Sequence, residues 1–508
     1  MREAPPTEPV SPRAATFEFS AILFVLLCFL ESSALVVALA IYKKGDRSLS
    51  VFLASPAGFI FIVAVVVLAA SALIISYLRR RDLRREKRRF AAMVVLNLWS
   101  VILALAAAEI LIRLNIDNTP AGPEFADTLL LPQSWQDVAA HNRALLTKSL
   151  VNESYLLYDR ELGWTIGPNR RSKDYNRDFA RQILAQTRKL QADSAAGESL
   201  RRANGVVDES IYLSSAEGLR SPRSGMSYAG SRPNRRIAIV GDSFTFGLEV
   251  RYEDTWGHQL ELILGDGTQV LNFGVDGYGV DQSFLRYQRD TIPWRPDIVI
   301  LGVINDDLRR TMCVFGFLCF PGGEIPFSKP RFELNGQTLR LLNVPLSTPQ
   351  SLFEKLSIAD LPFIEYDPSY NQSSDWEKHF YHHLISFRYL ISKFPRWTEP
   401  REGVTDEALK GVNGAIFRSF LRLARAQGSI PIVVLFPTLS DFMQERRGRT
   451  GIAKEVLRSN EIPFIDMTDC VSALDVTERF VALHYSPATN FAIAKCLRDW
   501  IRERSPSL

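Results

Sequence analysis

Four short segments carry residue types that together suit acyl transfer from an ester. Ser243 lies in Val240-Gly241-Asp242-Ser243-Phe244, a glycine-rich turn runs from Gly274 to Gly279, Asn305-Asp306 supplies a carboxamide, and His484 opens His484-Tyr485-Ser486-Pro487. A hydroxyl beside an imidazole makes an activated nucleophile and its base. A backbone N–H near a helix N-terminus and an amide side chain can hold the negative oxygen that develops on the attacked carbonyl. Taken singly each has an ordinary role: a serine after a strand caps a helix, Asn-Asp makes a turn, and a lone histidine is a satisfied core or surface residue. Their order along the chain is the stronger signal.

The elements that must position them are legible as apolar runs. Ile237-Ala238-Ile239-Val240, Thr268–Gly274, Pro296–Ile304, Ser429–Pro437 and Glu461–Met467 read as buried strands. Helical patterns fit Asp254–Leu264, Asp281–Asp290, Gly451–Ser459 and Pro487–Arg504. Continuous apolar strands alternating with helices predict an α/β domain whose parallel sheet is covered on both faces. Ligands of such sheets bind beyond the carboxyl ends of the strands, where all four segments fall. Residues 308–429 read as a large insertion, with a hairpin signal at Asn335-Gly336 and an aromatic, His-containing stretch around Asp375–Arg396 suited to a lid or substrate wall. Residues 116–235 read as a linker plus a small accessory β-region.

This constellation resembles the SGNH (GDSL-like) hydrolase superfamily over about residues 234–505. The resemblance implies a flavodoxin-like three-layer α/β/α hydrolase domain over 236–508, Ser243 as nucleophile and His484 as base. It implies Gly277 as a backbone oxyanion donor, Gly274 being the less favoured register, and Asn305 as the side-chain donor, although Leu301-Gly302-Val303-Ile304-Asn305-Asp306 has one residue more than the usual block. Glu217–Ser221 and Leu162–Asn169 are similar to the run-up in membrane-linked members. The usual acid three residues before the histidine is missing, because that position is Val481. Asp475 and Glu478, upstream, are the candidates to orient His484; a Ser–His dyad or an inactive domain are the alternatives.

The N-terminal part has a different character. Three apolar runs, about 20–42, 51–78 and 90–112, each exceed the roughly 20 residues that cross a bilayer as a helix. Arg79–Arg89 holds eight basic and two acidic residues, so the other positions sum to about −2 of the chain's +4. Basic charge confined to one short loop argues against a nucleic-acid partner and places that loop in the cytoplasm. Residues 1–115 are therefore expected to be a membrane domain with a cytoplasmic N-terminus, leaving the remainder outside. Lys43, Lys44 and Arg47 would then face outward, a weaker cluster. Glu31 and Glu109 fall within the runs, where an acid is a functional candidate or a hydrogen-bonded packing residue.

Of five cysteines, Cys28 lies in the first run and four lie in the outer part. Closeness in sequence favours Cys313 with Cys319, leaving Cys470 for Cys496; reduced buried thiols are the alternative. His379 and His383 have the spacing of a helical zinc pair but lack the accompanying glutamate. The spacing of Gly274–Gly279 does not fit a dinucleotide fingerprint. No cofactor or metal is expected. The expected function is a membrane-anchored serine esterase acting outside the cytoplasm on O-acyl, above all acetyl, esters of envelope glycans. An O-acyltransferase, a lipid esterase and a non-catalytic glycan-binding protein are the competing readings.

Overall fold

The computed structural model describes residues 99, 102, 106, 108–119, 122–126, 128–151, 155–172, 212–231, 233–265, 267–320, 325–371, 375–393, 405–445 and 451–504. The first two apolar runs, the Arg79–Arg89 loop and most of the third run lie outside these residues. Among the described residues no helix is long and apolar enough to cross a membrane. The chain divides into two units. One takes 1–117, 130–132 and 378–395; the other takes 118–129, 133–377 and 396–508.

The larger unit is built on five parallel strands: β1 (Arg235–Val240), β2 (Thr268–Asn272), β3 (Ile298–Val303), β4 (Ile430–Leu435) and β5 (Phe464–Asp466). Their spatial order is β2-β1-β3-β4-β5, with Ile237 beside both Val270 and Ile298. That is the doubly wound flavodoxin-like order, whose switch point falls between β1 and β3. Alternate residues of each strand enter different cores. Ile237, Ile239, Ile298, Ile300 and Val434 pack on α2 (Trp256–Leu264) and α7 (Pro487–Arg504). Ala238, Val240, Val299, Leu301 and Val433 face α3 (Val280–Arg286), α5 (Asp406–Ala426) and α6 (Ile452–Ser459). The sheet is therefore the middle of three layers. The remaining helices of interest are the single turn α1 (Ser243–Phe246) and α4 (Asn305–Arg310).

Within the larger unit, described parts of 133–235 and of the stretch between α4 and α5 share a further core. The helix Trp135–Val151 and the hairpin Leu156–Asp159/Gly163–Ile166 bring Trp135, Leu156 and Trp164 against Phe315, Phe317 and Phe353. Phe246, Leu248, Val275 and Tyr278 from the sheet's carboxyl edge complete it. The hairpin expected at Asn335-Gly336 forms as Phe332–Asn335 paired with Thr338–Leu341. The expected insertion is interrupted by α5, a 21-residue helix that makes the crossover from β3 to β4 and covers the sheet. The structure bonds Cys313 to Cys319 and Cys470 to Cys496.

In the smaller unit, residues 378–393 pack with the end of the third apolar run. Glu109 is buried. Its carboxylate accepts hydrogen bonds from the N–H groups of Ile385 (2.9 Å) and Ser386 (2.7 Å), at the start of the helix Ile385–Lys393, and from Arg113 Nε (2.7 Å). It thus caps that helix rather than standing unpaired in an apolar run. Glu31 lies outside the described residues. The stretch suggested as a lid is therefore assigned, over 378–393, to this unit instead of to the larger one.

Candidate active site

Ser243 sits at the first residue of α1, where the chain leaves β1 at the switch point. Asp242 caps the turn, accepting the Phe244 N–H at 2.9 Å. Gly241 cannot be replaced cheaply, because a Cβ there would lie 2.7 Å from the Gly302 carbonyl oxygen on the neighbouring strand. The turn stops at Gly247 in the left-handed region (φ 79°), and Glu249, two residues on, is also left-handed (φ 69°). A left-handed conformation suits glycine and strains a residue carrying a Cβ by about 1–3 kcal/mol. Together these turns fold the chain back, so that Glu249 comes under the loop carrying His484.

The structure brings Ser243 and His484 together. His484 Nε2 is 2.8 Å from Ser243 Oγ, and its Nδ1 is 3.0 Å from Glu249 Oε1. The second approach is off the line of a well-formed hydrogen bond. The other Glu249 oxygen accepts the consecutive N–H groups of Ala482 (3.0 Å), Leu483 (3.0 Å) and His484 (3.1 Å). Such a run of amides makes an anion-binding concavity. An ionised carboxylate only accepts, so Nδ1 carries the imidazole proton and Nε2 is left to accept from the serine hydroxyl. Ser243, Glu249 and His484 are all buried.

Charge and burial oppose each other here. Burial alone would raise the Glu249 carboxyl, yet the His484 charge, its ring N–H and the loop amides hold it below the ordinary carboxylate range. Burial would lower His484, but Glu249, with smaller help from Asp276 and Asp242, raises it above the usual histidine value. Beneath the serine, Arg310 bridges Asp242 (3.3 Å) and Asp307 (2.7 Å). Burial pushes both of these carboxyls up, and for Asp307 the neighbouring Asp242 adds to it.

Neither acid expected from the sequence faces the imidazole. The Asp475 carboxylate accepts from Thr477 N–H (2.8 Å) and hydroxyl (2.6 Å), capping its own turn, and Glu478 lies within that turn, Val476–Glu478. The acid that stands at the His484 ring is Glu249, six residues after Ser243 and far from the segment just before the histidine. The sequence marks it only as a lone acid between Leu248 and Val250, a local cue with nothing to tie it to His484. Val481 takes part through its backbone, donating its N–H to the His484 carbonyl at 2.9 Å.

The two glycine registers are now distinguishable. Gly274 N–H is occupied by Asn272 Oδ1 at 2.9 Å. Gly277 (φ 75°) donates to no acceptor among the described residues, and a Cβ on it would crowd Ile325 at 2.9 Å. Asn305 is engaged at both ends of its amide. Its Nδ2 donates to Asp441 Oδ1 (2.6 Å) and its Oδ1 accepts Ala453 N–H (2.8 Å), leaving one amide hydrogen uncommitted. His379 and His383 bracket a single 3-10 turn rather than standing on one α-helix face. Among the described residues no group of three or more His, Cys, Asp or Glu side chains could hold a metal ion.

No family model and no curated protein matches the chain. Among solved structures it is similar to a lipolytic protein of the G-D-S-L family from Desulfitobacterium hafniense DCB-2, at 13% identity, covering 52% of this chain and 99% of that one, with a TM-score of 0.26. It is also similar to the lipase/acylhydrolase from Enterococcus faecalis, at 14% identity, 53% and 96% coverage and a TM-score of 0.27. Axe2, an acetylxylan esterase from Geobacillus stearothermophilus, matches at 14% identity, 53% and 94% coverage and a TM-score of 0.26. Overlays this loose carry no weight for function. The case for the site rests on the sheet order and on the distances around Ser243.

Proposed function

We propose that this chain is a serine esterase of SGNH type, anchored in a membrane and acting outside the cytoplasm on O-acyl esters of envelope glycans, acetyl esters above all. The observation that carries the esterase reading is the 2.8 Å contact of Ser243 Oγ with His484 Nε2, with Glu249 on the far ring nitrogen. His484 takes the hydroxyl proton as Ser243 Oγ bonds to the carbonyl carbon. The Ser243 and Gly277 N–H groups, with the remaining Asn305 amide hydrogen, receive the oxyanion. His484 then returns the proton to the departing sugar oxygen, leaving an acyl-serine. Water, activated by the same imidazole, releases the acid. Glu249 removes the motive for a non-catalytic reading, which was the missing acid at Val481. The glycan substrate and the anchor rest on the three apolar runs and the basic loop between the second and third.

A fluorophosphonate probe tests the chemistry directly. Labelling of the folded wild type, lost in Ser243→Ala and strongly reduced in His484→Ala, is the expected result. A folded protein that takes no label, and releases no acetate from an acetylated oligosaccharide, would overturn the proposal. Acyl appearing on an added oligosaccharide instead of in free acid would make the enzyme a transferase.

A further inference from the structure

We propose that residues 378–393 form an interfacial foot that rests on the outer surface of the lipid bilayer, with Phe380, Phe387 and Leu390 seated among the headgroups. This rests on the reading of residues 90–112 as a membrane-crossing helix. Six of the eleven exposed large apolar side chains among the described residues belong to the smaller unit: Ile110, Leu111, Leu114, Phe380, Phe387 and Leu390. That concentration is notable because the unit contributes few described residues. Scattered single exposed apolar residues need no explanation, but a group of this kind marks an interaction surface.

Three observations select lipid as the occupant. First, Ile110 and Leu111 close the third apolar run and Leu114 follows it, so the patch begins where that helix reaches the interface. Second, the foot is tied to that helix end. Glu109 takes the two N–H groups that open Ile385–Lys393, and Arg113 donates to the His383 carbonyl at 2.7 Å. Third, the sequence of 378–393 contains Lys378, Lys393 and three histidines but no Asp or Glu, while its Arg388 donates to the carbonyls of Leu130, Leu131 and Pro132. Phe380 and Phe387 each meet Tyr381, with ring centroids 5.4 and 5.3 Å apart. Aromatics beside cations, without acids, suit an anionic membrane surface, where apolar side chains sink about 5–10 Å into the headgroup boundary. A water-facing segment would instead be expected to hide its rings or intersperse acids.

The test uses the full chain reconstituted into phosphatidylcholine–phosphatidylglycerol vesicles. On a Cys28→Ser background, Phe387→Cys or, if that variant misfolds, Phe380→Cys carries an environment-sensitive nitrobenzoxadiazole label. Leu356→Cys, which is 87% exposed in the other unit, serves as the water-facing control. The foot position is expected to emit to the blue of the control and to be quenched about threefold or more by shallowly brominated lipids, the control being unaffected. Water-like emission from a protein that still resists alkaline carbonate extraction would overturn the foot while leaving the anchor standing. Blue-shifted emission that brominated lipid does not quench would assign the patch to a protein partner or a second copy. Extraction of the protein by carbonate would remove the anchor, and the foot with it.

Discussion

At the scale of single residues, Glu249 is the part of the site that the sequence concealed. The resemblance places the acid three residues before the histidine; here Val481 stands there, and the carboxylate at Nδ1 comes from Glu249, six residues after Ser243. Ser243, His484 and Gly277 could be singled out as candidates because strand ends and glycine turns have local signatures. The acid could not, because its position depends on two left-handed turns at Gly247 and Glu249 and on a loop about 235 residues away in sequence. Glu249→Gln keeps the side-chain shape but no longer fixes the tautomer, so kcat is expected to fall by about 10²–10⁴-fold. Asp475→Asn and Glu478→Gln are expected to leave it within about twofold, since neither side chain faces the ring. The pH dependence gives an independent check. His484 must be neutral to accept the serine proton, and Glu249 raises its pKa, so wild-type kcat/KM should climb with pH through a midpoint above the ordinary histidine value. Without the carboxylate the midpoint of the residual activity should move to lower pH. An unmoved acid limb in Glu249→Gln would show that another group sets it.

Among the elements, the region that reads as a linker turns out to support the acid. Tyr212 hydroxyl accepts the Glu249 N–H at 2.9 Å. Arg220 is buried against the Tyr212 and Phe246 rings, each 4.5 Å from its guanidinium carbon, and donates to the Val250 carbonyl at 2.8 Å. Tyr212→Phe leaves one buried N–H without its acceptor, which costs about 1–3 kcal/mol. Because that N–H belongs to Glu249, kcat should fall more than KM rises, whereas a purely structural loss would lower the active fraction and leave the pH profile unchanged. The stretch between α4 and α5 has its own anchor: Lys329, fully buried, pairs with Asp281 on α3. Lys329→Met strands that carboxylate and should destabilise the protein by about 3–5 kcal/mol in denaturant unfolding. Lys329→Met with Asp281→Leu should recover much of the loss. The sheet strands were legible because each is a continuous apolar run. α5 was not, because its apolar residues are diluted by Lys410, Arg418, Arg422 and Arg425 and follow a long irregular stretch. The shared core of Trp135, Trp164 and Phe353 joins segments too distant in sequence for periodicity to connect.

For the whole molecule, topology and redox state make one linked claim. Cys313–Cys319 and Cys470–Cys496 are bonded in the larger unit, and such bonds persist in oxidising compartments and rarely in the cytoplasm. The only other cysteine is Cys28, within the first apolar run. If the Arg79–Arg89 loop holds the chain's orientation, the bonds and the loop are coupled through topology. Replacing its arginines and lysine with glutamine should weaken retention of that loop in the cytoplasm and leave part of the population inverted. In that fraction the four outer thiols should stay reduced. Alkylation of denatured, unreduced protein from intact cells measures this: one reactive thiol at most in the wild type, and up to five in the inverted fraction of the variant. The Cys470–Cys496 bond closes a 26-residue separation, so its absence should also lower stability by about 3 kcal/mol. The inverted fraction should therefore unfold earlier as well as alkylate further. A wild-type protein with all five thiols reactive would place the larger unit in the cytoplasm, and the proposed envelope substrate would have to be abandoned while the proposed Ser243–His484–Glu249 chemistry stood unchanged.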